Sequence, residues 1–310
     1  MSLTLLYKGP ESRGQCWKQA VTSSFPNITW LTWPHVPEPE KVDAIITWTL
    51  PDKAFETYNN VKAIFSVGAG IDQLNPTSFP QHVRLIRMID PTIAIQMVSY
   101  VTSAVLMIHR DHFHYSKAQR AKKWLPLPVS LPSECTIGVM GLGNLGCQVA
   151  QALRQSGFNL RGWSRNSKTL PGIHTYAGND NLSDFLSQCN ILICLLPLTE
   201  DTRGILNRST LSQLPEGASV INVGRGAHLV DDDLIYMLNK KHLKQAVLDV
   251  TSQEPLPDEH EFWTHPDIYI TPHIASSTKN ESAAVQLVNN LALWLKGEKM
   301  VGEVNLHQGY

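Results

Sequence analysis

The sequence predicts an α/β fold built on doubly wound parallel sheets, and three observations predict it. Short apolar runs of strand length alternate with more polar stretches of helical length, as strands joined by crossover helices do. A glycine-rich turn stands where one of these strands would hand over to its helix. The chain has 310 residues, enough for two domains at roughly 150 residues each.

The alternation comes in two series. In the first, Leu3 to Tyr7, Ile28 to Leu31, Ala44 to Trp48, Ala63 to Val67 and Val83 to Arg87 read as strands. One long helix is then expected from about Ile93 to Lys122, because Ile95, Val98, Val101, Val105 and Ile108 recur at spacings of three and four. Pro126, Pro128 and Pro132 follow; helices do not cross such positions easily, so this stretch reads as an exposed connector. The second series begins at Cys135. Its strands are Thr136 to Met140, Leu160 to Trp163, Ile191 to Leu196, Ser219 to Val223, Ala246 to Val250 and Ile268 to Thr271. A last helix spans Lys279 to Lys296, with Ala283, Leu287, Leu291 and Leu295 four apart, and stops near Gly297.

Composition narrows the function classes. Hydrophobic residues make up 43% and charged residues 17%, ordinary for a globular chain with a core. The formal net charge is −1, so no basic field invites nucleic acid. The cations from Lys117 to Lys123 read as a solvated helix face. No run of about 18 apolar residues is seen, so no membrane span is expected. Met1 to Lys8 reads as a first strand rather than a signal peptide. The five cysteines, Cys16, Cys135, Cys147, Cys189 and Cys194, lack zinc spacing and are expected to be reduced thiols in a cytoplasmic protein. His109, His112 and His114 do not share one helical face, and no carboxylate pattern completes a metal site there; no metal is expected.

Gly141-Leu142-Gly143-Asn144-Leu145-Gly146 matches G-x-G-x-x-G, directly after Thr136 to Met140 and ahead of a helix carrying Val149, Ala152 and Leu153. The pattern alone is weak, since glycines cluster in many turns. In this context the three glycines allow a tight turn, close approach of a pyrophosphate, and close packing of helix on strand. Backbone N–H groups at the helix start then bind the anion. This makes the second domain Rossmann-like and dinucleotide-binding. An NAD site would carry Asp or Glu at the end of the next strand, about 20 residues on. Here that strand ends Trp163-Ser164-Arg165, with Lys168 close behind and no carboxylate. Ser164, Arg165 and Lys168 offer donors and positive charge suited to a 2′-phosphate. NADPH is therefore the preferred cofactor and NADH the alternative; as ordinary surface cations, Arg165 and Lys168 would carry no such preference.

Arg225, Glu254 and His273 each lie just beyond a strand of the same series. In an open parallel sheet they gather with the glycine turn at the carboxyl edge, where ligands bind. Taken singly, each has a bland explanation: a turn residue, a solvated Glu-Pro turn, a buried histidine. Together they fit reduction of a 2-keto acid. Arg recognises a carboxylate through paired N–H bonds. His is the natural acid near neutral pH, and a neighbouring carboxylate stabilises its charged form.

At this point the chain resembles the D-2-hydroxyacid dehydrogenases. The resemblance rests on the glycine turn, Asn222-Val223-Gly224-Arg225-Gly226, the stretch Leu248 to Leu256, and Thr271-Pro272-His273-Ile274-Ala275, and it spans essentially the whole chain. Trp163-Ser164-Arg165, Lys123 to Pro128, Ser252 to Pro257 and the Gly309-Tyr310 end resemble the glyoxylate/hydroxypyruvate reductase A branch. The resemblance implies Arg225 as substrate anchor, His273 as general acid and Glu254 as its partner. It places Asn144, Leu145, Pro197, Thr202, Val223 and Asp249 with the glycines along the cofactor. Two departures are present. Ser99 stands where the family often has glutamate, and Thr251 replaces a common phenylalanine. Neither belongs to the catalytic trio.

On the substrate side, Val67, Gly68 and Ala69 follow the strand Ala63 to Val67, and small residues there let N–H groups approach a carboxylate; a turn that needs glycine for backbone reasons is the alternative. The resemblance implies that this loop grips the substrate and that Trp48 walls its pocket. The expected architecture is two doubly wound parallel-sheet domains, the cofactor domain (99–274) inserted into the substrate domain (1–98 plus 275–310), with the site in the cleft between them. Glyoxylate and hydroxypyruvate would yield glycolate and D-glycerate, and the long helix from Ile93 would form a homodimer. The competing function is a nucleotide-sensing, corepressor-like binding protein of the same superfamily, which NADPH turnover would distinguish.

Overall fold

The computed structural model describes residues 3–75 and 78–306; the Gly309-Tyr310 end lies outside them. In chain order the elements are β1 (Thr4–Lys8), α1 (Glu11–Ser24), β2 (Thr29–Thr32), β3 (Ala44–Thr47), α2 (Ala54–Thr57), β4 (Ala63–Ser66) and β5 (Arg84–Ile86). Then come α3 (Pro91–His109), α4 (His112–Arg120), β6 (Thr136–Met140), α5 (Asn144–Gln155), β7 (Asn159–Ser164) and β8 (His174–Ala177). The chain continues through α6 (Leu182–Leu186), β9 (Ile191–Cys194), α7 (Arg208–Leu211), β10 (Ala218–Asn222), α8 (Asp231–Asn239), β11 (Leu243–Leu248), β12 (Ile268–Ile270) and α9 (Asn280–Leu295). Two compact units result: Met1–Ile93 with Ser277–Tyr310, and Ala94–Ser276.

The first unit holds a five-stranded sheet in the order β2-β1-β3-β4-β5, parallel throughout. Leu6, Ile45, Ile64 and Leu85 pack on one side of it with Val42, Tyr58 and Val61. Both faces of β3 and β4 are buried, as continuous apolar runs such as Ala44 to Ile46 require.

The second unit holds a seven-stranded parallel sheet in the order β12-β11-β10-β9-β6-β7-β8. The chain runs outward from β6 to β8, then returns to the other side of β6 with β9. That reversal opens a crevice at the carboxyl ends of β6 and β9, where open α/β sheets bind ligands.

The sheets and the last helix follow the sequence pattern, with strand ends moved by no more than three residues. Three features differ. The single helix expected from Ile93 to Lys122 is two helices, because Asp111 takes a left-handed conformation (φ 53°), which Asp tolerates better than most residues, and Lys244 binds its carboxylate there. β8 has no counterpart in the sequence pattern: its residues His174 to Ala177 are only partly buried at the sheet edge, so they carry no apolar alternation. Finally, α3 is long and apolar enough to cross a membrane by length and composition alone, since Ser, Thr and Gln rather than charges interrupt it. Its stripe of Met97, Val101, Ala104, Val105 and Ile108 is buried in the core of the second unit.

Candidate active site

The glycine turn occupies the β6/β9 crevice. Gly141 has φ 101°, a conformation that side chains disfavour, and a Cβ there would lie 2.6 Å from Leu195 O beyond β9. At Gly146 a Cβ would lie 1.8 Å from Gly141 O, so α5 can press against the turn only with glycine in its first turn. At Gly143 a Cβ would meet nothing within 4 Å. Two glycines thus serve the backbone, and the third keeps an open approach to the start of α5, where Asn144 and Leu145 begin the helix. That is the shape a pyrophosphate needs.

At the end of β7, Ser164 is buried and its Oγ donates to Asn166 O (2.8 Å), which turns the chain outward. Arg165 is exposed, with Nη2 3.6 Å from Asp201 Oδ2. The Lys168 ammonium donates to Leu142 O inside the glycine turn. Lys168 therefore ties the β7 loop to the turn, while Arg165 stands on the rim. Beyond β9, Thr202 folds the following loop: its Oγ1 donates to Pro197 O (2.7 Å) and accepts from Thr199 N (2.8 Å).

The three chemical candidates lie beyond neighbouring strands β10, β11 and β12. Parallel strands are about 4.8 Å apart, so their loops stand side by side. His273 Nδ1 and Glu254 Oε2 are 2.7 Å apart, and Glu254 Oε1 accepts from Thr251 N (3.2 Å). Both side chains of the pair are 39% exposed, enough to meet a ligand. His273 itself has φ 53°, uncommon for a residue with a side chain. What holds it so is Asp249, 2% exposed. Asp249 O accepts from His273 N (2.8 Å), and its carboxylate accepts from Ile274 N and Ala275 N, each at 2.8 Å, and from Thr271 Oγ1 at 2.6 Å. Tyr100 OH adds a hydrogen bond to Thr271 Oγ1. Burial pushes the Tyr100 phenol above its ordinary range. Asp249 thus acts through the His273 loop, which its carboxylate organises.

Arg225 follows β10 by way of Val223, which is buried and donates its N–H to Cys194 O. Arg225 Nη1 donates to Gly224 O (2.8 Å). A Cβ at Gly226 would lie 1.9 Å from Thr251 O, so the Arg225 loop and the Glu254 loop touch only because glycine is present.

The substrate-side residues belong to the first unit. Trp48 follows β3 and lies against the loop after β4: a Cβ at Gly68 would be 2.6 Å from its ring. Val67 O accepts from Thr278 Oγ1 (2.9 Å), and Ser66 Oγ donates to Gly68 O (3.1 Å). Val67 is buried and Ala69 partly exposed.

The sequence reading missed the polar groups that shape these loops: Asn222, His228, Ser66 and Thr278. The available signal was a polar side chain at the end of an apolar run, as in Ser-Val-Ile-Asn for Asn222. Among the described residues no group of three or more His, Cys, Asp or Glu could hold a metal ion. All five cysteines are free; burial pushes the thiol of Cys135 up to about 11 and those of Cys189 and Cys194 up to about 12, which removes them from thiolate chemistry.

Comparison with known proteins adds three findings. Residues 102–275 match the family model described as D-isomer specific 2-hydroxyacid dehydrogenase, NAD binding domain. A D-isomer specific 2-hydroxyacid dehydrogenase from Xanthobacter autotrophicus Py2, solved with NADPH and MES, is 34% identical with a TM-score of 0.93, covering 100% of both chains. An NADPH-dependent glyoxylate/hydroxypyruvate reductase from Sinorhizobium meliloti, solved with NADP and sulfate, is 30% identical with a TM-score of 0.89, again covering 100% of both chains.

Proposed function

We propose that this chain, which belongs to the D-isomer specific 2-hydroxyacid dehydrogenase family, is an NADPH-preferring reductase of small 2-keto acids. Glyoxylate and hydroxypyruvate are its assigned substrates, glycolate and D-glycerate its products. The observation that carries this reading is the His273–Glu254 pair at 2.7 Å, beside the loop that presents Arg225. The Sinorhizobium meliloti neighbour supports the choice of acids at 30% identity.

With NADPH bound, the nicotinamide supplies the hydride that reaches the keto carbon. His273 supplies the proton. Its Nδ1 is engaged by Glu254, so Nε2 is the nitrogen that donates to the carbonyl oxygen as it becomes a hydroxyl. Glu254 stabilises the imidazolium before transfer and fixes the ring's orientation. Arg225 neutralises the carboxylate and draws charge toward the carbonyl oxygen. Trp48, Val67, Gly68 and Ala69 are assigned to the substrate, the tryptophan limiting its size. The 2′-phosphate preference is assigned to Arg165 with Ser164, since no carboxylate follows β7 to meet a ribose hydroxyl. Lys168 contributes by holding the glycine turn.

Steady-state oxidation of NADPH and NADH with hydroxypyruvate, glyoxylate and pyruvate tests this. Turnover should favour NADPH with the first two acids, and His273→Ala should lower kcat by about 10²–10⁴-fold, the usual contribution of a positioned general acid. Tight NADPH binding without turnover of any acid would shift the function to nucleotide sensing.

The same reading makes the protein a homodimer. Ile95 and Leu106 on α3 are exposed, and so are Trp124, Val129 and Leu131 in the proline-rich connector. Trp124 is 92% exposed, an unusual state for so large an apolar side chain. Sedimentation at micromolar concentration should give twice the chain mass; a monomer would remove the dimer from this account.

A further inference from the structure

We propose that His228 is a positioning residue for Arg225, setting the anchor loop so that the 2-keto acid, rather than the cofactor, loses affinity when it is changed. The proposal rests on the assignment of Arg225 as substrate anchor. His228 lies in the short turn Gly226–His228 and is fully buried. Arg225 N is 3.0 Å from its Nδ1. A main-chain N–H can only donate, so Nδ1 is the unprotonated nitrogen. Its Nε2 is 3.3 Å from Pro197 O, and a carbonyl can only accept. The two partners together define a neutral ring with its proton on Nε2.

A second buried side chain grips the same residue from the other side. Asn222 Nδ2 donates to Arg225 O (3.0 Å), and Asn222 Oδ1 accepts from Gly224 N (3.2 Å). Both the amide and the carbonyl of Arg225 are thus held by side chains, beyond the last rung of the β10 ladder at Asn222. Gly224 closes the arrangement: a Cβ there would lie 2.9 Å from His228 Nδ1. The guanidinium therefore starts from a backbone whose orientation depends on the imidazole.

The cofactor-side loop does not depend on it in the same way. Pro197 O also accepts from Thr202 Oγ1 at 2.7 Å, and Thr199 N donates to that hydroxyl. Loss of the longer His228 bond leaves this loop its own fastening. The two effects should separate.

His228→Phe replaces the imidazole with a somewhat larger flat ring and removes both hydrogen bonds. It should raise KM for hydroxypyruvate about tenfold, the loss expected for one buried hydrogen bond. Its Kd for NADPH, measured by fluorescence without substrate, should stay within about twofold of wild type, because the Thr202 fastening remains. His228→Asn places an oxygen where Nδ1 stood and should restore most of the KM. His228→Gln moves the acceptor away and should not. If the Phe variant does not fold, the Asn and Gln pair alone carries the contrast. An active wild type with unchanged KM in the Phe variant, or Asn and Gln variants that behave alike, would overturn the role of His228. Equal losses in KM and in NADPH binding would do the same. A wild-type protein inert toward every 2-keto acid would overturn the reductase assignment itself, and this role with it.

Discussion

The loop after β12 and the loop after β7, both assigned to the proposed site, are built in opposite ways. The first is built around Asp249, 2% exposed, whose carboxylate receives two backbone amides and a hydroxyl. It forces His273 into a left-handed conformation and delivers it to Glu254. The second turns on one buried hydroxyl, Ser164, and then leaves Arg165 at the surface beside the exposed Asp201. The difference separates two demands. The proton donor proposed here must be placed to within about half an ångström of its productive geometry, which suits a loop locked by groups that water cannot reach. A phosphate is large and multiply charged, so the proposed phosphate contact needs only an exposed cation, and a surface residue can change there without disturbing a core.

The strongest way to break that contrast is at its locked end. Asp249→Asn keeps one acceptor and turns an amide donor toward backbone donors. Hydrogen bonds to a charged group contribute about 1.5–3 kcal/mol, so kcat should fall by roughly one to two orders of magnitude at about 1.4 kcal/mol per tenfold. NADPH affinity should change little. Stopped-flow hydride transfer reads this directly; an unchanged rate would mean that the His273 loop holds its shape without the carboxylate.

A smaller effect is expected at the open end. Arg165→Ser should raise KM for NADPH about tenfold, since an exposed charge-assisted contact is lost, and leave KM for NADH near its wild-type value. The ratio of the two cofactor constants is the measurement. Equal weakening of both would place Arg165 in the general shape of the site and erase the proposed division between fixed chemistry and adjustable cofactor choice.

Legibility in the sequence follows the same line. The strands, the glycine turn and the trio Arg225, Glu254 and His273 stand in runs or spacings that local physics explains: apolar stretches for buried strands, glycine where a Cβ would strike Leu195 O or Gly141 O, and polar residues beyond strand ends. β8 escaped because an edge strand of partly exposed residues carries no apolar pattern. The break at Asp111 escaped because the helical spacing of apolar residues up to Ile108 says nothing of where a polar stretch turns.

By itself, the sequence determined the α/β class, the nucleotide-binding turn and which residues could do chemistry, since these depend on periodicity and residue type near in the chain. What holds them in place depends on contacts between segments far apart in the chain. Asp249 reaches Ala275 across 26 positions of chain, His228 reaches Pro197 across 31, and Thr278 reaches Val67 across 211. The first two pairs meet because parallel strands bring their carboxyl ends together, and the third because the chain returns to the first unit ahead of α9; a buried polar group must find a partner wherever the fold places one.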